Sequence, residues 1–302
     1  MHDLIIIGAG PAGITAAVYA ARKKINTLVL TMDIGGQTAW SGDIENYTGY
    51  QFITGPELAG KFEEHMRKFD IHLIENEPVI ELTKTGDTCL VRTDKAKYES
   101  RTVIIASGKR SKELNVPGEN EYKNKGLTYC ATCDAPLFTG KNVAVIGGGN
   151  SGLDAALQLV RIAKYVYLIN ITEKLTGDPI MQEQLNANPL VTVMNNARVT
   201  GIIGDKFVTA IKVTRDGKQE TLAVEGVFVE IGLKPNSEFT KGLELNEWGE
   251  VRVNSRNETN IPGIFAAGDV TDVPEKQIVI AAGEGSKAAL SVFKYLILHK
   301  FA

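Results

Sequence analysis

A glycine-rich turn between a buried strand and a helix occurs twice in this chain, and this repeat constrains the fold more than any other feature. The first copy, Gly8-Ala9-Gly10-Pro11-Ala12-Gly13, follows an apolar run at residues 4–7. The second copy, Gly147-Gly148-Gly149-Asn150-Ser151-Gly152, follows an apolar run at residues 143–146. In such a turn the first glycine permits the bend, the second lets the backbone approach a pyrophosphate, and the third lets the helix pack on the strand. The repeat predicts two dinucleotide-binding modules of the α/β class.

The length of the chain agrees with two modules. Its 302 residues exceed the roughly 250 residues at which one hydrophobic core stops growing. Apolar residues at 43% and charged residues at 23% are typical of a globular protein and exclude a disordered or fibrous chain. A net charge of −3 without a basic stripe argues against a nucleic-acid partner. No apolar run reaches the roughly 18 residues of a membrane span, and the few cysteines and the missing signal peptide predict a cytoplasmic protein.

Two cysteines, Cys130 and Cys133, lie just before the second glycine turn. Their spacing suits a small, strained and therefore reducible disulfide, and Asp134 directly after them is the candidate proton donor for a departing thiolate. Half of a zinc site and a structural disulfide are the alternatives. A zinc site needs further ligands, and neither the third cysteine, Cys89, nor the four histidines show a second paired spacing. A redox pair without a metal is therefore favoured, with Cys89 as a buried packing residue.

Two dinucleotide modules and a dithiol together describe an electron relay, for which flavin is the usual intermediary between a hydride donor and a thiol pair. Loops rich in glycine and amide side chains, around Gly36-Gln37 and Asn46, are of the kind that wraps a cofactor. Asp33 follows the second strand and is a candidate ribose ligand. Gly268-Asp269 ends an apolar strand, where an acid is well placed for a sugar hydroxyl, and a helix is expected at residues 278–298. This last segment is therefore expected to return to the first domain.

The ordered motifs resemble those of the low-molecular-weight thioredoxin reductase family, whose core is shared by the flavoprotein subunit of alkyl hydroperoxide reductase. The resemblance covers essentially the full length. It implies two Rossmann-like three-layer dinucleotide-binding domains, the second inserted in the first. Residues 1–111 and 246–302 would form the FAD-binding domain, and residues 112–245 an inserted pyridine-nucleotide-type domain that carries the cysteine pair. The family also implies a homodimer.

The resemblance assigns roles to individual residues. By similarity, Cys133 faces the flavin, Cys130 attacks the disulfide of the partner protein, and Asp134 serves as acid. Together with the motifs above, the residues expected to bind FAD are Gly8, Gly10, Pro11, Ala12, Gly13, Asp33, Gly36, Gln37, Asn46, Ser107, Gly108, Gly268, Asp269, Lys276, Gln277 and Ile278. The residues expected to bind a pyridine nucleotide are Gly147, Gly149, Asn150, Ser151 and Gly152.

One departure from the family leaves the electron donor open. Members that use NADPH carry His-Arg-Arg and a further arginine after the second strand of the second module, whereas this chain has Asn170-Ile171-Thr172 and lacks those basic residues. Without arginines a 2′-phosphate has no evident partner. Asn170 also lacks the carboxylate that would favour NADH. The expected donor is NADH, with reduced ferredoxin next, because some relatives have replaced pyridine nucleotides with ferredoxin, and with NADPH last.

The sequence therefore predicts an FAD-dependent dithiol-disulfide oxidoreductase that reduces thioredoxin or a similar small dithiol carrier. Residues 274–285 resemble the peroxide-reductase flavoprotein, which carries an N-terminal thioredoxin-like extension; because this chain starts at the FAD strand, a free-standing carrier is expected. The alternatives are the same disulfide reductase fed by ferredoxin, and a flavin NADH oxidase or peroxide-reductase flavoprotein with auxiliary cysteines. A non-catalytic flavin-binding module is disfavoured by the intact dithiol.

Overall fold

The computed structural model describes residues 1–41 and 43–299, without the side chains of Asp43, Thr132 and Cys133. The chain forms two compact units. The first comprises Met1–Arg110 and Lys234–Ala302, and the second comprises Ser111–Leu233. Both units contain a largely parallel sheet and helices, so the predicted α/β class and the insertion of one dinucleotide-binding fold in another are confirmed.

The described residues form nineteen strands and seven α-helices. The strands are β1 His2–Ala9, β2 Thr27–Ile34, β3 Asp43–Ile44, β4 Ile53–Thr54, β5 His72–Ile74, β6 Val79–Thr85, β7 Thr88–Thr93, β8 Lys97–Ile105, β9 Lys109–Ser111, β10 Leu127–Thr128, β11 Asn142–Ile146, β12 Tyr165–Ile169, β13 Val191–Met194, β14 Ala197–Gly204, β15 Val208–Arg215, β16 Lys218–Ala223, β17 Gly226–Val229, β18 Leu233–Pro235 and β19 Ile264–Ala266. The helices are α1 Pro11–Arg22, α2 Gly55–Arg67, α3 Glu119–Tyr122, α4 Ala131–Asp134, α5 Asn150–Leu159, α6 Pro179–Asn186 and α7 Ile278–Leu298.

The first unit is built on a seven-stranded sheet with the order β5-β2-β1-β8-β7-β6, in which β19 also pairs with β8. The pairs of β1 with β2 and β8 are parallel, and parallel strands covered on both faces read as continuous apolar runs. Ile6 lies in a core with helices α1 and α7, whereas Ile5 lies in a core on the opposite face with Cys89 and Val270. Cys89 is free and fully buried, as predicted.

The second unit is built on a parallel sheet with the order β10-β17-β11-β12-β13 and a smaller antiparallel sheet, β14-β15-β16. One core joins the parallel sheet to α5 and α6, and another joins it to the antiparallel sheet. This arrangement makes three layers. The carboxyl ends of β11, β12 and β17 therefore meet at one edge, where ligands bind in open α/β sheets.

The second boundary of the inserted unit differs from the predicted one. The prediction gave residues 234–245 to the inserted domain, whereas these residues belong to the first unit. The main-chain nitrogen of Leu82 donates to the carbonyl of Phe239 at 2.9 Å, and Lys241 forms an ion pair with Glu81. These contacts join the returning segment to β6, and no local sequence pattern predicts such a long-range pairing.

No helix of the described chain is long and apolar enough to cross a membrane.

Candidate active site

In the first glycine turn, Gly8 and Gly13 are tightly packed, whereas Gly10 has open space around it. Gly8 has a φ of +104°, and a methyl group there would lie 2.4 Å from the carbonyl oxygen of Ala106. A methyl group at Gly13 would lie 1.9 Å from the carbonyl oxygen of Gly8, whereas one at Gly10 would meet nothing within 4 Å. Gly10 caps α1 and Pro11 begins it. The turn thus leaves backbone accessible at a helix N-terminus, the geometry that binds a phosphate.

The loop after β2 lies beside this turn. Gly35 donates its main-chain N–H to the carbonyl of Ala9 at 2.8 Å, and a methyl group at Gly36 would lie 3.5 Å from the Cα of Gly10. Asp33 is exposed just before this loop, near the end of β2. The fold therefore brings the candidate residues Asp33 and Gly36 to the first glycine turn.

Two further candidate segments are fixed by side-chain hydrogen bonds within the first unit. The hydroxyl of Ser107 donates to the carbonyl of Asn236 at 2.6 Å, and the amide of Asn236 donates back to the carbonyl of Ser107 at 2.8 Å. Asn46 donates to the side chain of Gln277 at 3.1 Å. Gln277 caps α7, of which Ile278 is the first residue. Each of these bonds connects segments that are far apart in the sequence.

The helix α7 and the Gly268-Asp269 turn pack closely against α1. A methyl group at Gly268 would lie 2.9 Å from the Cβ of Ala12, and one at Gly285 would lie 2.0 Å from the carbonyl oxygen of Ala12. Asp269 is partly buried at the end of β19. Burial raises the pKa of its carboxyl, and the charges of Lys276 and Lys109 oppose that rise.

A buried ion network beside Asp269 was missed by sequence analysis. Lys109 Nζ lies 2.7 Å from Glu250 Oε1, and Lys276 Nζ lies 3.3 Å from the same oxygen. Asn246 donates to the other carboxylate oxygen at 2.6 Å. The main-chain carbonyl of Lys109 accepts from the side chain of Gln37 at 2.9 Å. The network therefore links three of the segments that carry candidate cofactor residues, those of Gln37, Gly108 and Lys276.

The redox turn, residues 130–134, contains a disulfide-bonded Cys130, while the side chain of Cys133 lies outside the described atoms. Thr128 orders the turn. Its hydroxyl donates to Asp134 Oδ2 and accepts the main-chain N–H of Cys130 at 3.2 Å. The candidate acid Asp134 is thus held beside the cysteine pair by a buried threonine.

Two glutamates in the second unit also hold this turn, and neither was predicted from the sequence. The Glu230 carboxylate accepts the main-chain N–H of Ala131 at 3.4 Å. Glu119, only 2% exposed, accepts the main-chain N–H of Leu114 at 2.7 Å and the hydroxyl of Tyr129 at 2.7 Å. The only sequence signal for Glu230 was an acid directly after the buried strand β17.

The second glycine turn repeats the geometry of the first. Gly147 has a φ of +139°, and a methyl group at Gly152 would lie 2.1 Å from the carbonyl oxygen of Gly147. The following candidates Asn150 and Ser151 are exposed at the start of α5. A methyl group at Gly149 would have Thr176 Oγ1 as its nearest neighbour, at 3.9 Å. The backbone at Gly149 is therefore open to solvent-side approach, and the predicted pyrophosphate site here stays a prediction.

The loop after β12 folds back on this second turn. The carbonyl of Gly148 accepts the main-chain N–H groups of Thr176 and Gly177, at 2.8 and 3.1 Å. Asn150 accepts the N–H of Asp178 at 2.7 Å. Asn170 is 3% exposed, and its side-chain amide donates to Asn195 at 2.8 Å. Asn170 is therefore engaged inside the protein instead of being presented to a ribose.

Two units with glycine turns of this geometry, one of them carrying a disulfide-bonded cysteine, define a dinucleotide-dependent oxidoreductase. The family model for pyridine nucleotide-disulphide oxidoreductases matches residues 2–285, and the chain belongs to this family. The predicted relationship to the thioredoxin reductases is confirmed.

Similar proteins include an alkyl hydroperoxide reductase component and an NADH dehydrogenase. The chain is 45% identical over 302 residues to the alkyl hydroperoxide reductase component of Xanthomonas campestris pv. phaseoli, covering 98% of this chain and 57% of that protein. It is 44% identical over 298 residues to an NADH dehydrogenase of Bacillus subtilis, covering 98% of this chain and 58% of that protein. The chain thus spans less than three-fifths of the length of these relatives.

Several solved structures match this chain over nearly the full length of both compared chains. Thioredoxin reductase of Lactococcus lactis is 34% identical with a TM-score of 0.87, covering 99% of this chain and 100% of that one. Thioredoxin reductase of T. acidophilum is 39% identical with a TM-score of 0.85, covering 98% and 99%. A ferredoxin-flavin thioredoxin reductase of Clostridium acetobutylicum is 31% identical with a TM-score of 0.55, covering 98% of each chain.

Proposed function

We propose that this protein is an FAD-dependent dithiol-disulfide oxidoreductase that reduces thioredoxin or a similar small carrier through Cys130 and Cys133. The observation that carries the proposal is the disulfide-bonded Cys130 on a turn whose main chain and candidate acid are both held by Thr128. Family membership and the structural likeness to thioredoxin reductases support it. We further propose that the enzyme acts as a homodimer in the cytoplasm.

The first unit fits an FAD molecule. Gly10 leaves room for the approach of a pyrophosphate, and Asp269 is placed to accept a sugar hydroxyl at the end of a parallel strand. Asn46, Gln277 and Ile278 would line the same ligand near the start of α7. Bound there, FAD would supply two-electron transfer between a hydride donor and the thiol pair.

The thiol chemistry follows from the two cysteines. After reduction, the Cys130 thiolate attacks the carrier disulfide, a mixed disulfide forms, and one carrier sulfur leaves as a thiolate that takes a proton. The Cys133 thiolate then attacks Cys130, which restores the intramolecular disulfide and releases the second carrier thiol. We assign the proton transfer to Asp134, which lies next to Cys133.

We propose NADH as the electron donor. The second glycine turn keeps the shape that accepts a pyrophosphate, while residues 170–172 supply no arginine for a 2′-phosphate. Reduced ferredoxin is a second candidate. It is favoured by the loop at residues 176–178, which covers the carbonyl of Gly148, and by the likeness to the ferredoxin-flavin enzyme.

Anaerobic titration of the oxidised, flavin-loaded protein tests the donor. We expect NADH to bleach the flavin absorbance rapidly and NADPH to do so poorly. Bleaching by micromolar NADPH would contradict the arginine argument. If neither nucleotide bleaches the flavin but reduced ferredoxin does, ferredoxin is the donor.

Cysteine variants test the reaction. We expect Cys133→Ser to abolish reduction of a thioredoxin disulfide, and Cys130→Ser to give a long-wavelength absorbance band from a Cys133 thiolate beside oxidised flavin. Appearance of this band in Cys133→Ser would reverse the two roles. Thioredoxin reduction that survives in Cys133→Ser would reject the proposed function. If Cys133→Ser instead retains turnover with oxygen or a peroxide system, an NADH oxidase or a peroxide-reductase flavoprotein is favoured. One relative, 45% identical, is an alkyl hydroperoxide reductase component.

A further inference from the structure

Glu230 is an acidic side chain in contact with the main chain of the redox turn. It directly follows β17, at the carboxyl edge of the parallel sheet. Its Oε1 accepts the N–H of Ala131 at 3.4 Å, and Ala131 is the residue immediately after Cys130. A methyl group at Gly147 would lie 2.1 Å from the carbonyl oxygen of Glu230. Glu230 therefore lies between the second glycine turn and the cysteine pair.

The surroundings of Glu230 favour its neutral form. Burial and the negative charge of Asp154 on α5 raise the pKa of its carboxyl to about 7, although the hydrogen bond from Ala131 opposes the rise. Once the disulfide is reduced, the redox turn carries two thiols, Cys130 and Cys133, and the carboxyl of Asp134. Glu230 contacts the main chain one residue after Cys130, so a negative charge on its carboxylate and one on a cysteine of this turn are expected to disfavour each other.

We propose that the charge of Glu230 sets the pH at which the reduced cysteine pair forms its reactive thiolate. This inference rests on the proposed function, since it gives Glu230 a part in the dithiol chemistry. Glu230 acts as a positioning residue, through its contact with the main chain of the turn. When the carboxyl is neutral it leaves thiolate formation unopposed, and when it is ionised its charge disfavours a second negative charge nearby.

Alkylation of the reduced protein measures this coupling directly. The protein with its cofactor is reduced with a phosphine and treated with iodoacetamide between about pH 5.5 and 9, and the alkylation rate of each cysteine is followed by peptide mass mapping. We expect Glu230→Gln to lower the midpoint of thiolate formation by about one pH unit, which corresponds to about tenfold more thiolate between the pKa of Glu230, about 7, and the midpoint.

Two further variants make the result specific. Glu230→Asp keeps a carboxyl on the same strand end and should retain a pH profile closer to that of the unsubstituted protein. Glu225→Gln removes an exposed acid just before β17 and should leave the profile unchanged. Coincident profiles for the unsubstituted protein and Glu230→Gln would overturn the proposal, as would an equal shift in Glu225→Gln.

The assay separates this inference from the proposed function, because it requires neither a protein carrier nor an electron donor. If Glu230→Gln shifts the profile while no carrier disulfide is reduced, the inference stands and the proposed substrate is wrong. If carrier reduction is observed and the profile does not move, only the role of Glu230 is refuted.

Discussion

The buried ion pair of Lys109 and Glu250 makes a quantitative prediction about the first unit. Their side chains are 13% and 10% exposed and lie 2.7 Å apart. Burial by itself would raise the pKa of Glu250, but hydrogen bonds from Lys109 and Asn246 and the charge of Lys276 outweigh it and lower that pKa. Removing one partner of a buried pair leaves an uncompensated charge and costs about 3–5 kcal/mol.

We expect Glu250→Gln to destabilise the first unit by this full amount, since it leaves two ammonium groups without their shared carboxylate. Lys109→Met should cost less, about 2–3 kcal/mol, because Lys276 remains as a partner at 3.3 Å. The double variant should lose less than the sum of the two, with a coupling of about 1–3 kcal/mol.

Urea unfolding followed by tryptophan fluorescence suits this measurement. Both tryptophans, Trp40 and Trp248, lie in the first unit, so their signal reports that unit. The half-exposed pair Arg110 and Glu238, each 49% exposed, provides the control: Glu238→Gln should cost at most about 1 kcal/mol.

Two results would refute this reasoning about Lys109 and Glu250. Strict additivity of the two substitutions would show that the pair is not coupled, and losses no larger than in the control would show that it is not buried in solution. The pH dependence provides an additional check. Because the folded pKa of Glu250 is lowered, its stabilisation is present above the unfolded value of about 4.3 and is lost as the pH falls through the folded pKa.

Three other predictions follow from single contacts. Gly13→Ala should give less folded protein and less bound flavin, because a methyl group there would lie 1.9 Å from a carbonyl oxygen. Gly10→Ala should stay folded and bind flavin more weakly. Normal flavin content in Gly13→Ala would contradict this prediction. Glu230→Gln should be more stable than the unsubstituted protein at pH 8 by up to about 3 kcal/mol, and equally stable near pH 4. The reason is that Glu230 has a folded pKa of about 7, so its contribution to stability falls as the pH rises from the unfolded pKa to that value. Equal circular-dichroism melts of the two proteins at pH 8 would exclude this effect. Tyr129→Phe should cost about 1 kcal/mol in the second unit through loss of its bond to Glu119, and an unchanged urea midpoint by circular dichroism would show the bond to be negligible.

The sequence by itself determined the local structures and their type. Gly8 and Gly13 predicted a strand–turn–helix because no side chain fits where the strand, the turn and the helix approach one another. In the structure, a methyl group added at Gly8 or Gly13 would lie 2.4 or 1.9 Å from a carbonyl oxygen. The apolar residues before each turn predicted buried parallel strands, since both faces of such strands are covered. The helix expected at residues 278–298 has those bounds in the structure. Each of these features depends on residues close together in the chain.

The tertiary structure alone decided which distant residues meet. Lys109 and Glu250 are 141 positions apart, and Glu230 and Ala131 are 99 positions apart, so no periodicity or spacing connects them. The side-chain amide of Asn170, at the end of β12, donates to Asn195 after the neighbouring strand β13, a contact that the sequence does not indicate. Apolar patterning fixes which face of an element is buried, but a contact between two polar side chains depends on the register and return path of the whole chain. The contacts between distant polar residues are therefore the part of this protein that its sequence did not predict.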